Sequence, residues 1–139
     1  MQEVIIVVDT NVVVSGFLKP FSEAGTILKL ILEDKIKLAF DLRILIEYEE
    51  VLKREEFNFN IKKINTIINF LKKKGKNTNA LPLKKSLPDK DDNPFLEVAL
   101  SAKADFLITG NKKHFPVSLC QEVKVVSPGK FLEKFVDSL

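Results

Sequence analysis

Short, unbroken runs of apolar residues alternate along this chain with longer segments whose apolar residues recur every three or four positions. Unbroken apolar runs of this kind are typical of strands that are buried on both faces of a sheet. They predict strands at residues 3–8, 36–40, 105–109 and 123–126. Because helical segments alternate with these strands, we expect an α/β fold, a three-layer α/β/α sandwich around a mostly parallel central sheet.

The periodic segments predict five helices. Ser22, Asp41 and Asn60 precede the first three, and each has a side-chain oxygen that can cap the free N–H groups of a first turn. Pro94 and Pro128 lie where the last two begin, a position that tolerates proline. The predicted helices cover residues 23–34, 42–54, 60–75 and 93–103, and the chain from residue 128 onward.

Two segments follow neither pattern. Residues 9–11 are Asp-Thr-Asn, and we expect these small polar residues to turn the chain after the first strand. Residues 77–88 contain two prolines and no helical period, and they predict one short strand near 81–83. No repeat, low-complexity tract or long linker interrupts the chain, so we expect a single domain over residues 1–139.

Composition excludes several kinds of site. The chain has 139 residues, of which only Cys120 is a cysteine and only His114 a histidine. An internal disulfide, a thiolate zinc cluster and a multi-histidine metal site are therefore excluded, and a lone histidine is more often a loop residue than a ligand. The formal net charge of +3, with lysines crowded between residues 62 and 85, favours a nucleic-acid partner only weakly. The apolar run at residues 4–8 is too short to span a bilayer, so we expect a cytoplasmic protein with no membrane partner.

Familiar nucleotide and hydrolase motifs are missing, since no glycine-rich phosphate loop and no GxSxG elbow follows a strand. What remains are polar residues at suggestive places: Asp9 and Asn111 just beyond two strands, Asp92 at a helix start, and Glu47 within a helix. Each has an ordinary interpretation, as a turn residue, a helix cap, a helix-dipole charge or a solvated glutamate. Together they would meet at the carboxyl edge of one parallel sheet.

Carboxylates gathered at such an edge would repel one another by roughly 1 to 4 kcal/mol per pair at about 4 Å. A cluster of this kind holds either protons or a divalent cation. Oxygen donors without cysteine point to Mg²⁺ or Mn²⁺ rather than zinc.

Three stretches of the chain resemble the motifs of the PIN domain, a compact α/β/α nuclease family. VVDTNVVVSGFL resembles its opening motif, LIEYEEVLKR its second motif, and DKDDNPFLEVALSAKADFLITGNKKHF its third block. The order and spacing of the motifs cover nearly the whole chain. The subgroup that the chain resembles most is the prokaryotic PIN proteins that are toxin components of type II toxin–antitoxin pairs.

The resemblance implies roles for individual residues. Asp9, Glu47 and Asp92 match the family's metal-binding carboxylates, and Asn111 stands at a catalytic position where many members have aspartate. An amide oxygen adds no charge there, which puts a second metal ion in doubt. Thr10, Asn11 and Thr109 match the polar residues that orient these groups.

The implied activity is Mg²⁺- or Mn²⁺-dependent hydrolysis of RNA phosphodiester bonds by the toxin of a toxin–antitoxin pair. RNA and a cognate antitoxin protein would be its partners, and a homodimer is possible because toxin-type PIN domains commonly pair. Lysines of the 62–76 helix, or Lys112 and Lys113, are candidates for holding flanking phosphates.

Three alternatives compete with this hypothesis. Asn111 favours a catalytically weak PIN-like module that binds RNA or protein without cleaving it. Phosphatase and receiver folds also place an aspartate after a strand, but Asn11, Val7 and Val8 stand where those folds need acidic residues. A DNA-flap nuclease of the same fold normally has a larger chain with additional helices.

Overall fold

The computed structural model describes residues 3–137. Five strands and seven α-helices follow one another in these bounds: β1 Ile5–Val8, α1 Thr10–Leu18, α2 Glu23–Leu32, β2 Lys37–Phe40, α3 Leu42–Leu52, α4 Ile61–Lys74, β3 Lys76–Asn77, α5 Asn93–Ser101, β4 Phe106–Ile108, α6 Val117–Cys120, β5 Lys124–Val126 and α7 Pro128–Asp137. Three short 3₁₀ turns complete the regular structure, at Glu55–Phe57, Lys90–Asp92 and Lys112–His114.

The five strands form one sheet in the order β3-β2-β1-β4-β5, and every neighbouring pair is parallel. Ile6, at the centre, lies opposite Leu38 of β2 and Phe106 of β4. All carboxyl ends of the strands therefore meet at one edge of the sheet. The predicted α/β/α architecture with a parallel central sheet is confirmed.

Helices cover both faces of the sheet. Successive strand side chains point to opposite faces, and Ile6, Val7 and Val8 are all fully buried. On the central strands, α5 packs against β1, β2 and β4, and α7 packs against β4. Within residues 3–137, no helix is both long and apolar enough to cross a membrane.

The predicted helix starts are confirmed at three caps. Ser22 Oγ accepts a hydrogen bond from Gly25 N at 3.1 Å, and Asp41 Oδ1 accepts one from Ile44 N at 3.1 Å. Asn60 Oδ1 accepts from the first-turn N–H groups of α4. Each side chain satisfies backbone donors that have no partner within their own helix.

Two local predictions are wrong. The turn expected at residues 9–11 is instead the start of helix α1, because Asp9 caps the helix through Val12 N and because Val12, Val13 and Val14 are all buried. That burial outweighs the weak helix propensity of valine. The strand expected near residues 81–83 is instead the two-residue strand β3, which continues directly from α4 after Gly75.

Candidate functional site

Asp9 lies at the carboxyl end of the central strand and at the start of α1. Its backbone N–H donates to Ile108 O of β4 at 3.0 Å, and its Oδ1 accepts from Val12 N at 3.1 Å. Its Oδ2 accepts a hydrogen bond from the hydroxyl of Thr109, which is buried beyond the end of β4. Burial raises the pKa of the Asp9 carboxyl, and the Thr109 hydrogen bond opposes that shift.

Glu47 faces α1 from the middle of α3. The Thr10 hydroxyl donates to Glu47 Oε2, and the neighbouring Tyr48 hydroxyl donates to the Val8 carbonyl oxygen. Tyr48 is completely buried, and its pKa is well above its usual value because of burial and the nearby charges of Asp9 and Glu47. Tyr48 therefore anchors α3 to the end of β1, and the adjacent Glu47 contacts Thr10, the residue that follows Asp9.

Asp92 ends a 3₁₀ turn and precedes α5, with a side chain that is 17% exposed. Its Oδ2 is buried and has no hydrogen bond of adequate geometry among the described residues. The closest opposing group is Nδ1 of His114, at 3.1 Å. Burial raises the pKa of Asp92, His114 acts to lower it, and the negative charges of Asp89 and Asp9 raise it further.

These contacts show which predicted residues the fold brings together. The charge of His114 lowers the pKa of Asp9 as well as that of Asp92, and the charge of Asp9 raises the pKa of Asp92. Asp9, Asp92 and His114 are thus electrostatic neighbours, and Glu47 joins them through Thr10. Within residues 3–137, no three Asp, Glu, His or Cys side chains are close enough to one another to hold a single metal ion.

Among the described residues, Thr109 links Asn111 to Asp9. Its backbone N–H donates to Thr109 Oγ1 at 3.1 Å, and its side-chain Oδ1 accepts from Lys113 N at 3.1 Å, which caps the Lys112–His114 turn. This geometry is what the turn-residue interpretation expects. A catalytic role for Asn111 remains a prediction, and so does a role for Asn11, whose side chain is exposed.

The site's chemistry suits a hard divalent cation. The donors are carboxylate oxygens, the preferred ligands of Mg²⁺ and Mn²⁺, and one buried oxygen of Asp92 has no hydrogen bond to compensate its charge. Burial makes both Asp9 and Asp92 less easily ionised than free aspartate, and a bound cation would favour their charged forms. Asp9 and Asp92 therefore fit as candidate ligands, with Glu47 beside them.

Sequence reasoning underestimated His114. A single histidine in a loop looked like a surface residue, and its side chain is indeed about half exposed. The fold places it against Asp92, although the two residues belong to different 3₁₀ turns. The sequence DKDDN around Asp92 contains no signal for this contact, since the contact depends on how β4 and α5 pack.

Comparisons with known proteins identify the family and the fold. Residues 5–113 match the family model of the PIN domain. No curated protein has a significantly similar sequence. Among solved structures, FitAcB from Neisseria gonorrhoeae superposes with a TM-score of 0.55 at 20% identity, over 89% of this chain and 98% of that one.

Two further structures share the fold. VapBC2 from Rickettsia felis, bound to a DNA fragment from its promoter, gives a TM-score of 0.56 at 16% identity, over 87% of this chain and 96% of that one. PAE2754 from Pyrobaculum aerophilum gives 0.52 at 15% identity, over 96% and 90%. At such identities the likeness concerns the fold alone.

Proposed function

The chain belongs to the PIN domain family, and from this premise we propose that it is a metal-dependent ribonuclease, the toxin component of a toxin–antitoxin pair. The observation that carries the proposal is the pair of poorly solvated carboxylates, Asp9 and Asp92, at the carboxyl edge of the sheet. Parallel α/β sheets place their chemistry at this edge.

The residues would divide the work as follows. Asp9 and Asp92 would hold Mg²⁺ or Mn²⁺, with Glu47 as a further acid held in place by Thr10. Thr109 and Val12 N fix both oxygens of Asp9, so that the carboxylate is oriented before the ion arrives. When bound, the ion lowers the pKa of water and neutralises charge on a phosphodiester undergoing hydrolysis.

The toxin assignment rests on the motif resemblance and on the shared fold. The implied partners are an RNA substrate and a cognate antitoxin protein, and pairing with a second copy of the chain belongs to the same proposal. The whole chain would act as one PIN-like domain. Purification with a protein encoded beside it would test the antitoxin partner.

Cleavage of RNA by the purified chain in Mn²⁺, with and without EDTA, tests the activity. Asp9→Asn and Asp92→Asn should each lower the rate at least about 100-fold, since carboxylates that bind the ion cannot be replaced by amides without losing charge. Asp91→Asn is the matched control, because Asp91 is an exposed aspartate in the same turn as Asp92. Equal rates for Asp92→Asn and Asp91→Asn would refute the assignment.

One observation favours a second candidate function. Residue 111 is an asparagine, so the site has three acids rather than four. The Asn111 side-chain oxygen is also already occupied, because it caps the turn through Lys113 N. A PIN-like module that binds RNA or protein without cleaving it would have such a site. RNA binding without any cleavage, whether in Mn²⁺ or in EDTA, would identify this alternative.

A further inference from the structure

The segment of residues 81–87, here called the strap, bends at Lys84 and Lys85, lies along α5 and is held by three side chains of that helix. Leu81 N donates to Ser101 Oγ at 3.0 Å, Leu83 N to Glu97 Oε2 at 3.0 Å, and Leu87 N to Asn93 Oδ1 at 2.9 Å. The three acceptors are spaced four residues apart, so they form one stripe along the helix.

The order of these contacts fixes the direction and position of the strap. Its residues rise in number from the end of α5 toward its start, so the strap runs antiparallel to the helix and finishes beside Asp92. Lys84 and Lys85 lie between the contacts at Glu97 and Asn93, which are about 6 Å apart along the helix axis. Both lysines are exposed, and neither forms an ion pair within residues 3–137.

The strap is well anchored for a segment without regular structure. Leu87 is buried, and Glu97 is held in turn by Arg43 Nη1 at 2.7 Å. Pro82 within the strap restricts the backbone and removes a donor that would need a partner. The two lysines are therefore presented by a pre-ordered backbone, which lowers the entropy lost when a ligand binds them.

A second lysine pair is tied to the same end of α5. Lys112 and Lys113 precede His114 in one 3₁₀ turn, and His114 contacts Asp92. A nucleic-acid strand that approached the acidic site would be repelled by its carboxylates, and cations beside the site offset that repulsion. Lysine is suited to this role because it acts as a point charge on phosphate without selecting a base.

We propose that the strap is a phosphate-binding element, in which Lys84 and Lys85 hold the backbone of a single-stranded RNA beside the carboxylate site. This inference deepens the proposed function and rests on it for the identity of the substrate. It adds to the sequence-based expectation, which named lysines of the 62–76 helix or Lys112 and Lys113 as candidates. The carboxyl end of that helix lies at the opposite edge of the sheet, because α4 leads into the first residue of β3 and Lys37 of β2 donates to Lys74 O at 2.9 Å.

Binding measured without catalysis tests the strap by itself. The probe is a fluorescein-labelled single-stranded RNA of about 12 nucleotides, within the usual site size of single-strand binders, followed by anisotropy in EDTA at several salt concentrations. The variant is Lys84→Gln/Lys85→Gln. The matched control is Lys72→Gln/Lys73→Gln, which removes the same charge from an equally exposed lysine pair at the far edge.

Loss of two phosphate contacts should weaken binding by roughly tenfold near 0.1 M salt and lower the salt slope by about 1.4, while the control stays near wild type. Equal effects of the two variants, or no effect of the strap variant, would overturn the inference. Cleavage in Mn²⁺ is measured separately. RNA that binds through the strap but is not cleaved would refute the nuclease proposal and leave the strap intact.

Discussion

Asp92 immediately precedes α5 and Glu97 lies in the middle of that helix, and the two carboxylates have different hydrogen-bond partners. Glu97 is 8% exposed, and its two oxygens accept hydrogen bonds from Arg43 Nη1 and Leu83 N. Arg43 also donates to Asp41, which caps α3, so that this group links two helices and the strap. Asp92 is nearly as well covered, yet among the described residues its buried Oδ2 faces only the half-exposed imidazole of His114, whose Nδ1 lies 3.1 Å away.

The difference distinguishes Glu97, whose charge is balanced within the fold, from Asp92, whose buried oxygen meets only a half-exposed histidine among the described residues. A buried charge whose hydrogen-bonding capacity is filled stabilises a particular packing of helices. A buried carboxylate without that compensation costs folding free energy, and a proton or a cation relieves the cost. Burial alone would rank Glu97 first as a candidate, and it is the weaker compensation, by His114 rather than by Arg43 and a backbone N–H, that selects Asp92.

The largest effect on folding stability is expected from removing Glu97, the carboxylate whose two oxygens both accept hydrogen bonds. Glu97→Ala leaves Leu83 N and one end of Arg43 without an acceptor, and it should lower the free energy of unfolding by about 2 kcal/mol. Glu49→Ala is the control, because Glu49 pairs with Lys53 on the exposed side of α3, where an ion pair contributes about 0.5 kcal/mol or less. Urea denaturation measures both changes, and equal losses would show that the Glu97 group does not link the helices.

Replacing Asp92 is expected to change folding stability in the opposite direction. Burial outweighs the His114 contact at Asp92, so replacing this carboxylate by an amide in Asp92→Asn should stabilise the metal-free protein by at most about 1 kcal/mol at neutral pH. Because the folded-state pKa of Asp92 is raised, the folded protein binds a proton there more tightly than the unfolded chain does. This contribution to folding stability is complete below the ordinary pKa of 3.8 and is lost as the pH rises through the raised pKa. The stability difference between variant and wild type should therefore grow as the pH rises from about 4 toward 7.

Thermal denaturation across that pH range measures the difference. The exposed Asp91→Asn variant should track wild type at every pH. A destabilised Asp92→Asn protein would show that His114 already compensates the charge, and the comparison between the two carboxylates would then lose its basis.

The smallest effect is expected at Asn111. Asn111→Asp adds a negative charge near the site, but its oxygen retains the cap on Lys113 N, a role that aspartate fills equally well. We expect Mn²⁺ affinity to rise several-fold at most, on the order of 1 kcal/mol. Calorimetric titration compares the two proteins, and identical affinities would make Asn111 a turn residue alone.

The sequence predicted most of the sheet because β1, β2, β4 and β5 are short apolar runs, and burial on both faces demands such runs. The helix caps were predictable for a similar reason, since Ser22 and Asp41 act on N–H groups three residues away. The α1 helix was not predictable from local pattern. Its valines suit a strand as well as a helix, and tertiary packing makes the choice.

The candidate site likewise combines local features, which the sequence shows, with long-range contacts, which it does not. That Asp9 ends a buried strand is visible in the sequence, because the strand and its end are local features. The partners of its neighbours were not predictable, since the contact of His114 with Asp92 and that of Arg43 with Glu97 join residues far apart in the chain. The strap was missed because its N–H groups bond to side chains of a helix, which leaves no periodic signal.

Cation-dependent stability tests the central claim, that the desolvated carboxylates of Asp9 and Asp92 bind a divalent ion. At a Mn²⁺ concentration about ten times its Kd, binding to the folded chain should add about 1.4 kcal/mol of stability. That gain raises the melting temperature of a domain of this size by roughly 4 °C. The account predicts this rise for wild type and for Asp91→Asn, and its absence in Asp92→Asn. An equal rise in Asp92→Asn, or none in wild type, would contradict it.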